Sequence, residues 1–278
     1  MAIKDLLVAY QGDEGSQKAA KFALQMGKKY NATVTGVHVQ VREQYASQVR
    51  YWIPEDVLER VHQAEQAAVK TIENSFREVV KETGAKVAHD WMAVEGPPSL
   101  LLARMARYFD ILVTGQFEGA IRHGGRVVQP EELLLRSGKP MVIVPQEYTV
   151  RPFKEEAVVA WDGSRSAARA LTDAMQILET KKRLDVLTVE PDGTDESIRR
   201  LGDHDIIEHL ERHGIGARAV RREAKGSIGR TILDYCAETD PDVLVMGAFG
   251  RGNLGAMLFG GVSRYVLEHQ TVPVLMSH

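Results

Sequence analysis

Glycines stand at positions 247, 250, 252, 255, 260 and 261, after the apolar run Val243–Met246 and leading into a helical pattern. A glycine has no Cβ, so its backbone N–H can approach an anion closely, and the start of a helix adds roughly half a positive charge. The chemistry on offer is phosphate binding. Two spacings overlap here. Gly250-x-Gly252-x2-Gly255 has the form of a dinucleotide fingerprint, which also needs an acidic residue about 20 positions later, at the end of the next strand, to hold a ribose. That strand, Val272 to Met276, is followed by Ser277 and His278, and the acid is missing. The second spacing is Gly247-x2-Gly250-x9-Gly260-Gly261-Val262-Ser263. The GxxxxGK[ST] loop of P-loop nucleotidases is absent.

Other constellations carry less. His209 and His213 follow Asp205 at helical spacing, as a metal clasp would, but an amphipathic surface helix produces the same picture, and His-x-Glu-x-His is not the metalloprotease HExxH. Gly226-Ser227-Ile228-Gly229 lacks the GxSxG spacing of a nucleophile elbow, so Ser227 reads as a helix N-cap. Cys236, among Ile232, Leu233 and Tyr235, reads as a buried inert thiol.

The elements that must position the glycines occur twice. Leu6-Leu7-Val8-Ala9-Tyr10-Gln11-Gly12 corresponds to Ala157-Val158-Val159-Ala160-Trp161-Asp162-Gly163, each a short apolar strand, a polar turn and an alanine-rich helix. Val34 to Val39 corresponds to Leu184 to Val189, and Gly96 and Gly226 each precede a helical pattern. Asp110-Ile111-Leu112-Val113-Thr114-Gly115 matches Asp242-Val243-Leu244-Val245-Met246-Gly247. Lys139-Pro140-Met141-Val142-Ile143-Val144 matches Val272-Pro273-Val274-Leu275-Met276. A domain-sized period signals duplication of a whole fold. Strands nearly continuous in Val, Ile and Leu, alternating with helices, predict parallel sheets buried on both faces. The expected fold is α/β, two tandem doubly wound five-stranded domains over residues 1–148 and 154–278, divided where Pro152 and mixed charges break the pattern. An insertion from Val41 to Glu82 contains Tyr45, Tyr51, Trp52 and a helix opening near Pro54. Its stripe of Val57, Leu58, Val61, Ala64, Ala68, Ile72, Phe76 and Val79 reads as core.

Composition sets the outer bounds. Of 278 residues, 44% are hydrophobic and 26% charged, which is globular and excludes disorder. Lys plus Arg is 35 against 38 for Asp plus Glu, a net charge of −3 that does not attract nucleic acid. The apolar run Leu6 to Tyr10 is too short for a signal peptide, and no run approaches the roughly 18 residues of a membrane span. With a single cysteine, the expectation is a cytoplasmic protein.

The spacing Gly247-x2-Gly250-x9-Gly260 and the duplicated pattern resemble the universal stress protein family in its tandem two-domain form, over the whole chain. Nucleotide-binding members have Gly-x2-Gly-x9-Gly-Ser/Thr and an aspartate in the first βα turn, where Asp162 stands. The resemblance implies that Ala160, Asp162 and the Val189 backbone hold adenosine, with Met246 and Gly247 lining it. Gly250, Gly260, Gly261, Val262 and Ser263 would surround ribose and phosphates. The implied ligand is ATP with Mg²⁺, bound without efficient turnover in a stress-response or regulatory role. Gly261 departs from the pattern by replacing the usual Ser/Thr, which removes a hydroxyl donor. In the first half, Gln11 replaces the aspartate, Glu118 replaces the second glycine, and Val127-Val128-Gln129-Pro130 has no Gly-Ser pair, so that site is degenerate. The resemblance implies that the final strands, Met141–Val144 and Val274–Met276, pair into an intramolecular pseudo-dimer, with homodimerisation and an unnamed protein partner open. A nucleotide-free interaction scaffold and a dinucleotide-dependent enzyme remain the alternatives.

Overall fold

A computed structural model describes residues 2–41, 53–83, 86–116, 130–190, 205–248 and 261–278. The first half runs β1 (Asp5–Ala9), α1 (Glu14–Tyr30), β2 (Thr33–Gln40), α2 (Glu55–Glu82), β3 (His89–Glu95), α3 (Pro98–Ala106), β4 (Ile111–Gly115), α4 (Pro130–Ser137) and β5 (Met141–Val144). The second runs β6 (Glu156–Ala160), α5 (Arg165–Leu178), β7 (Arg183–Glu190), a helical stretch over 205–212, β8 (Arg218–Glu223), α6 (Ile228–Thr239), β9 (Val243–Gly247), α7 (Gly261–His269) and β10 (Val274–Ser277).

All ten strands form one sheet in the order β3-β2-β1-β4-β5-β10-β9-β6-β7-β8. Every described neighbour pair is parallel except β5 with β10, where Val274 faces Ile143, Leu275 faces Val142 and Met276 faces Met141. The expected pairing of the two final strands is therefore present. Alternation along the strands divides the core into two layers. Leu6, Val8, Val142, Val159 and Leu275 pack against α1, α5 and the end of α2. Leu7, Leu112, Ile143, Val158 and Met276 pack against α3, α4, α6 and α7.

The recurring aspartates have a structural reason. Asp110 Oδ2 accepts from the backbone N–H of Lys4 at 2.6 Å and of Asp5 at 3.0 Å, fixing the start of β1 beside β4. Asp242 does the same for β6: Oδ1 accepts from Lys154 N at 2.9 Å, and Oδ2 from Glu155 N at 2.8 Å and Glu156 N at 3.1 Å. The buried Lys181 ammonium, 3.2 Å away, compensates the buried Asp242 charge. Across the seam, Lys29 of α1 pairs with Glu155 and bonds Thr180 Oγ1 at 2.8 Å, and Phe22 meets Tyr148 and Phe153 edge-on. Burial pushes the Tyr148 phenol up to about 12, so it stays protonated and donates to Gln25 Oε1 at 2.8 Å.

The apolar stripe of α2 is a correction to the sequence expectation. Of its members only Phe76 and Val79 are buried, while Ile72 is half-buried and Val57 is 41% exposed. The 28-residue helix is about 42 Å long, far longer than the strands it covers. Ile72 already lies against Gly12 at the carboxyl end of β1, so the turns before it pass beyond the sheet, and none of their side chains is buried among the described residues. Periodicity reports an apolar face but not whether a surface lies opposite it. Tyr45, Tyr51 and Trp52 lie outside the described residues.

The two aspartate anchors differ in environment, and this sets their expected contributions. Asp242→Ala removes the acceptor of three backbone N–H groups and leaves Lys181 buried with less charge compensation, so it should cost about 3 kcal/mol. Asp110→Ala, at a half-buried site with two amides, should cost about 1 to 2 kcal/mol. Urea unfolding of both variants measures the difference, and equal losses would contradict this assignment.

Candidate functional site

In each half the strand order is 3-2-1-4-5, so the first strand lies between the second and fourth, and the crossover helices leave to opposite faces at that point. A crevice outside the carboxyl ends of the strands follows from that topology. In the second half that topology points to the end of β6, where Val159 is level with Val245 of β9 and Ala160 is level with Leu187 of β7. Trp161 N donates to Leu187 O at 2.8 Å, carrying the pairing one residue past the strand before the chain turns at Gly163, whose φ is +70°.

Asp162 is exposed on that turn, and its Oδ1 accepts from Ser164 N at 2.9 Å. Ser164 then caps α5, accepting from Ala167 N at 3.2 Å. The local bond fixes the Asp162 carboxylate at the rim. Ala160 and Val189 are half-buried at the carboxyl ends of β6 and β7, and Met246 and Gly247 end β9. Gly261, Val262 and Ser263 form the first turn of α7, with Gly261 exposed and Ser263 buried. Among the described residues, the sequence-derived site thus gathers on one rim of one sheet. Gly250 and Gly260 lie outside the described residues, as do Glu118 and positions 127–129 of the first half.

Two glycines of the motif turn out to answer different demands. A Cβ on Gly247 would sit 2.5 Å from Ala167 N and from Ser166 C, because the start of α5 packs directly on the strand end. Gly115 is constrained in the same way by Gly15, with 2.6 Å to its backbone. The shared strand-end glycine is thus a packing requirement in both halves. Gly261 is different: no described atom lies within 4 Å of the position its Cβ would take.

The two rims diverge in their helix starts, a feature that sequence reasoning missed. In the first half, Glu14 lies in the first turn of α1, and Glu131 and Glu132 lie in the first turn of α4. In the second half, the first turns of α5 and α7 hold no acidic residue. Aligned on Pro140 and Pro273, Glu131 corresponds to Arg264. Burial pushes the Glu131 carboxyl up from its usual range, the expected response of an acid held without full compensation. Helix starts attract anions, and among the described residues the first half carries carboxylates in these first turns where the second carries none. The signal was visible in the sequence once helix boundaries were known.

The first rim is also used by the seam. Gln116, just beyond β4, donates from Nε2 to Leu267 O at 2.9 Å near the end of α7, and its Oε1 accepts from Gln146 N at 3.2 Å. Its counterpart Ala248 is buried and has no side chain to make such bonds. Away from the rim, the His209 and His213 rings lie 4.8 Å apart, Ser227 caps α6 by accepting from Arg230 N, and burial pushes the Cys236 thiol up to about 12.

The sequence pattern described as the universal stress protein family matches residues 2–145 and again 155–278. The chain belongs to that family. Solved structures agree at the level of fold. A universal stress protein from Archaeoglobus fulgidus DSM 4304 is 18% identical with a TM-score of 0.73, the alignment covering 98% of this chain and 97% of that one. A putative universal stress protein from Pseudomonas aeruginosa UCBPP-PA14 is 15% identical with a TM-score of 0.62, covering 99% and 93%. Comparison with curated proteins returned no match. No described helix of this universal stress protein is long and apolar enough to cross a membrane.

The contrast between the two glycines yields a paired test. Gly247→Ala should destabilise this universal stress protein by about 2 to 3 kcal/mol, since backbone must shift to admit the methyl group. Gly261→Ala should change stability by less than about 0.5 kcal/mol or raise it slightly, because helical alanine is favoured over glycine. Thermal and urea unfolding provide the readout, and similar losses at both positions would overturn the distinction.

Proposed function

We propose that the second domain binds an adenine nucleotide, ATP with Mg²⁺, at the rim of β6 and β9, and that this occupancy is the protein's working signal. The observation that carries the reading is the asymmetry of the rims: helix starts free of acid lie beside Asp162 and the glycine motif in one half only. Family membership supplies the ligand class. Asp162 accepts hydrogen bonds from the nucleoside, the Val189 backbone and Ala160 border the base, and Met246 and Gly247 line it. Backbone donors of Gly250, Gly260, Gly261 and Val262, with the Ser263 hydroxyl, serve ribose and phosphates. Mg²⁺ would be held through the nucleotide phosphates, whose charge it would neutralise.

We assign no catalytic residue, and the role is regulatory or protective, in keeping with a stress-response protein. The first domain serves as a surface for a protein partner, and a buried unreactive Cys236 suits a reducing cytoplasm. One observation favours a nucleotide-free scaffold instead: Gly261 withholds the hydroxyl that the family motif supplies. Adenine nucleotide copurifying with the protein separates the two readings.

Equilibrium titration with ATP and Mg²⁺ should saturate at one equivalent per chain, and Asp162→Ala should lower affinity at least tenfold without unfolding the protein. Gly261→Ser should tighten binding by roughly one to two decades, the value of a hydrogen bond to a charged group. Two equivalents, or an unaffected Asp162→Ala, would refute the site.

A further inference from the structure

Resting on the nucleotide reading above, we propose that the first domain completes the ligand site of the second, with Lys139 reaching the distal phosphates of the bound nucleotide. Strand register sets where the lysine lies. Gly247 of β9 is level with Ser277 of β10, and Met276 of β10 is level with Met141 of β5. One step beyond that antiparallel pair sets Pro140 opposite Ser277, in the row of Gly247. One further step brings Lys139 level with His278 and Ala248. Two strand spacings separate β5 from β9, about 10 Å. A lysine of the first domain therefore stands on the rim of the second, on the row where the glycine motif begins.

The direction also fits. The sheet order from Asp162 passes β6, then β9, then β10 and β5, so a nucleotide with its nucleoside at Asp162 and its phosphates at Gly247 and α7 points toward the seam. Lys139 is half-buried in the bend between Gly138 and Pro140, one residue before Pro140, whose carbonyl accepts from Leu112 N at 3.1 Å. Its backbone is fixed: Lys139 N donates to Ser137 Oγ at 3.2 Å. Nearby cations are engaged, since Arg136 pairs with Glu132 at 2.9 Å and Arg107 donates to Arg136 O at 2.8 Å. The Lys139 ammonium makes no ion pair or hydrogen bond among the described residues. The aligned position in the second half is Val272, 5% exposed, so the lysine has no counterpart at that position.

The test is titration of the full chain with adenosine, AMP, ADP and ATP, the nucleotides with Mg²⁺, for the parent and for Lys139→Ala, Lys139→Glu and Lys139→Arg. Lys139→Ala should weaken ATP about fivefold and leave adenosine and AMP unchanged, Lys139→Glu should weaken ATP further, and Lys139→Arg should restore it. Melting temperatures should match the parent, because the side chain supports no internal pair. Parent-like ATP binding by Lys139→Ala, or equal losses for ATP and adenosine, overturns this inference alone. A parent that binds no adenine nucleotide overturns the nucleotide reading itself.

Discussion

Three residue pairs, Val274 with Ile143, Leu275 with Val142 and Met276 with Met141, join two five-stranded sheets into one, and the rest of the molecule is arranged around their antiparallel direction. All six side chains are buried, and each fully buried apolar side chain contributes about 1.5 to 3 kcal/mol. Left apart, β5 and β10 would each be an apolar edge open to pairing with other chains. Joined antiparallel, they close both edges and send the carboxyl ends of the two sets of strands to opposite rims. The outer edges of the joined sheet fall to β3 and β8, whose exposed and charged residues blunt further addition.

Opposite rims have a chemical consequence. Each domain's crevice lies beside the amino ends of the other domain's last strand, so each half can place residues at the rim of its neighbour. Gln116 shows the seam using the first rim for structure, by capping α7 carbonyls. Duplication would make both crevices equivalent, but once the halves were covalently joined, a substitution in one no longer entailed the same substitution in the other. Glu131 against Arg264 and Gln11 against Asp162 are results of that freedom.

The aspartates Asp110 and Asp242 show why some features of a duplicated fold persist. Each satisfies backbone N–H groups at the start of a central strand, a place where the ladder has not yet begun and donors would otherwise lack partners. The strand-end glycines Gly115 and Gly247 persist because a helix start occupies the space of a side chain. Features that repeat are tied to the backbone, whereas features that differ lie on the open rim.

The amino-acid sequence by itself determined the duplication, the α/β class, the five strands of each half and the motif around Gly247, because apolar runs and turn residues are local signals that need no knowledge of what lies opposite. It also pointed to the pairing of the last strands through the family resemblance. Only the tertiary structure decided that Val57, Ala64 and Ala68 on α2 stay exposed among the described residues, since a helix of that length outruns the sheet. Only the structure separated Gly247, closed by Ser166 and Ala167, from Gly261, which no described atom crowds. The placing of Lys139 on its neighbour's rim likewise depends on strand register between residues more than 100 positions apart, and pattern along a chain does not encode which distant residues share a row.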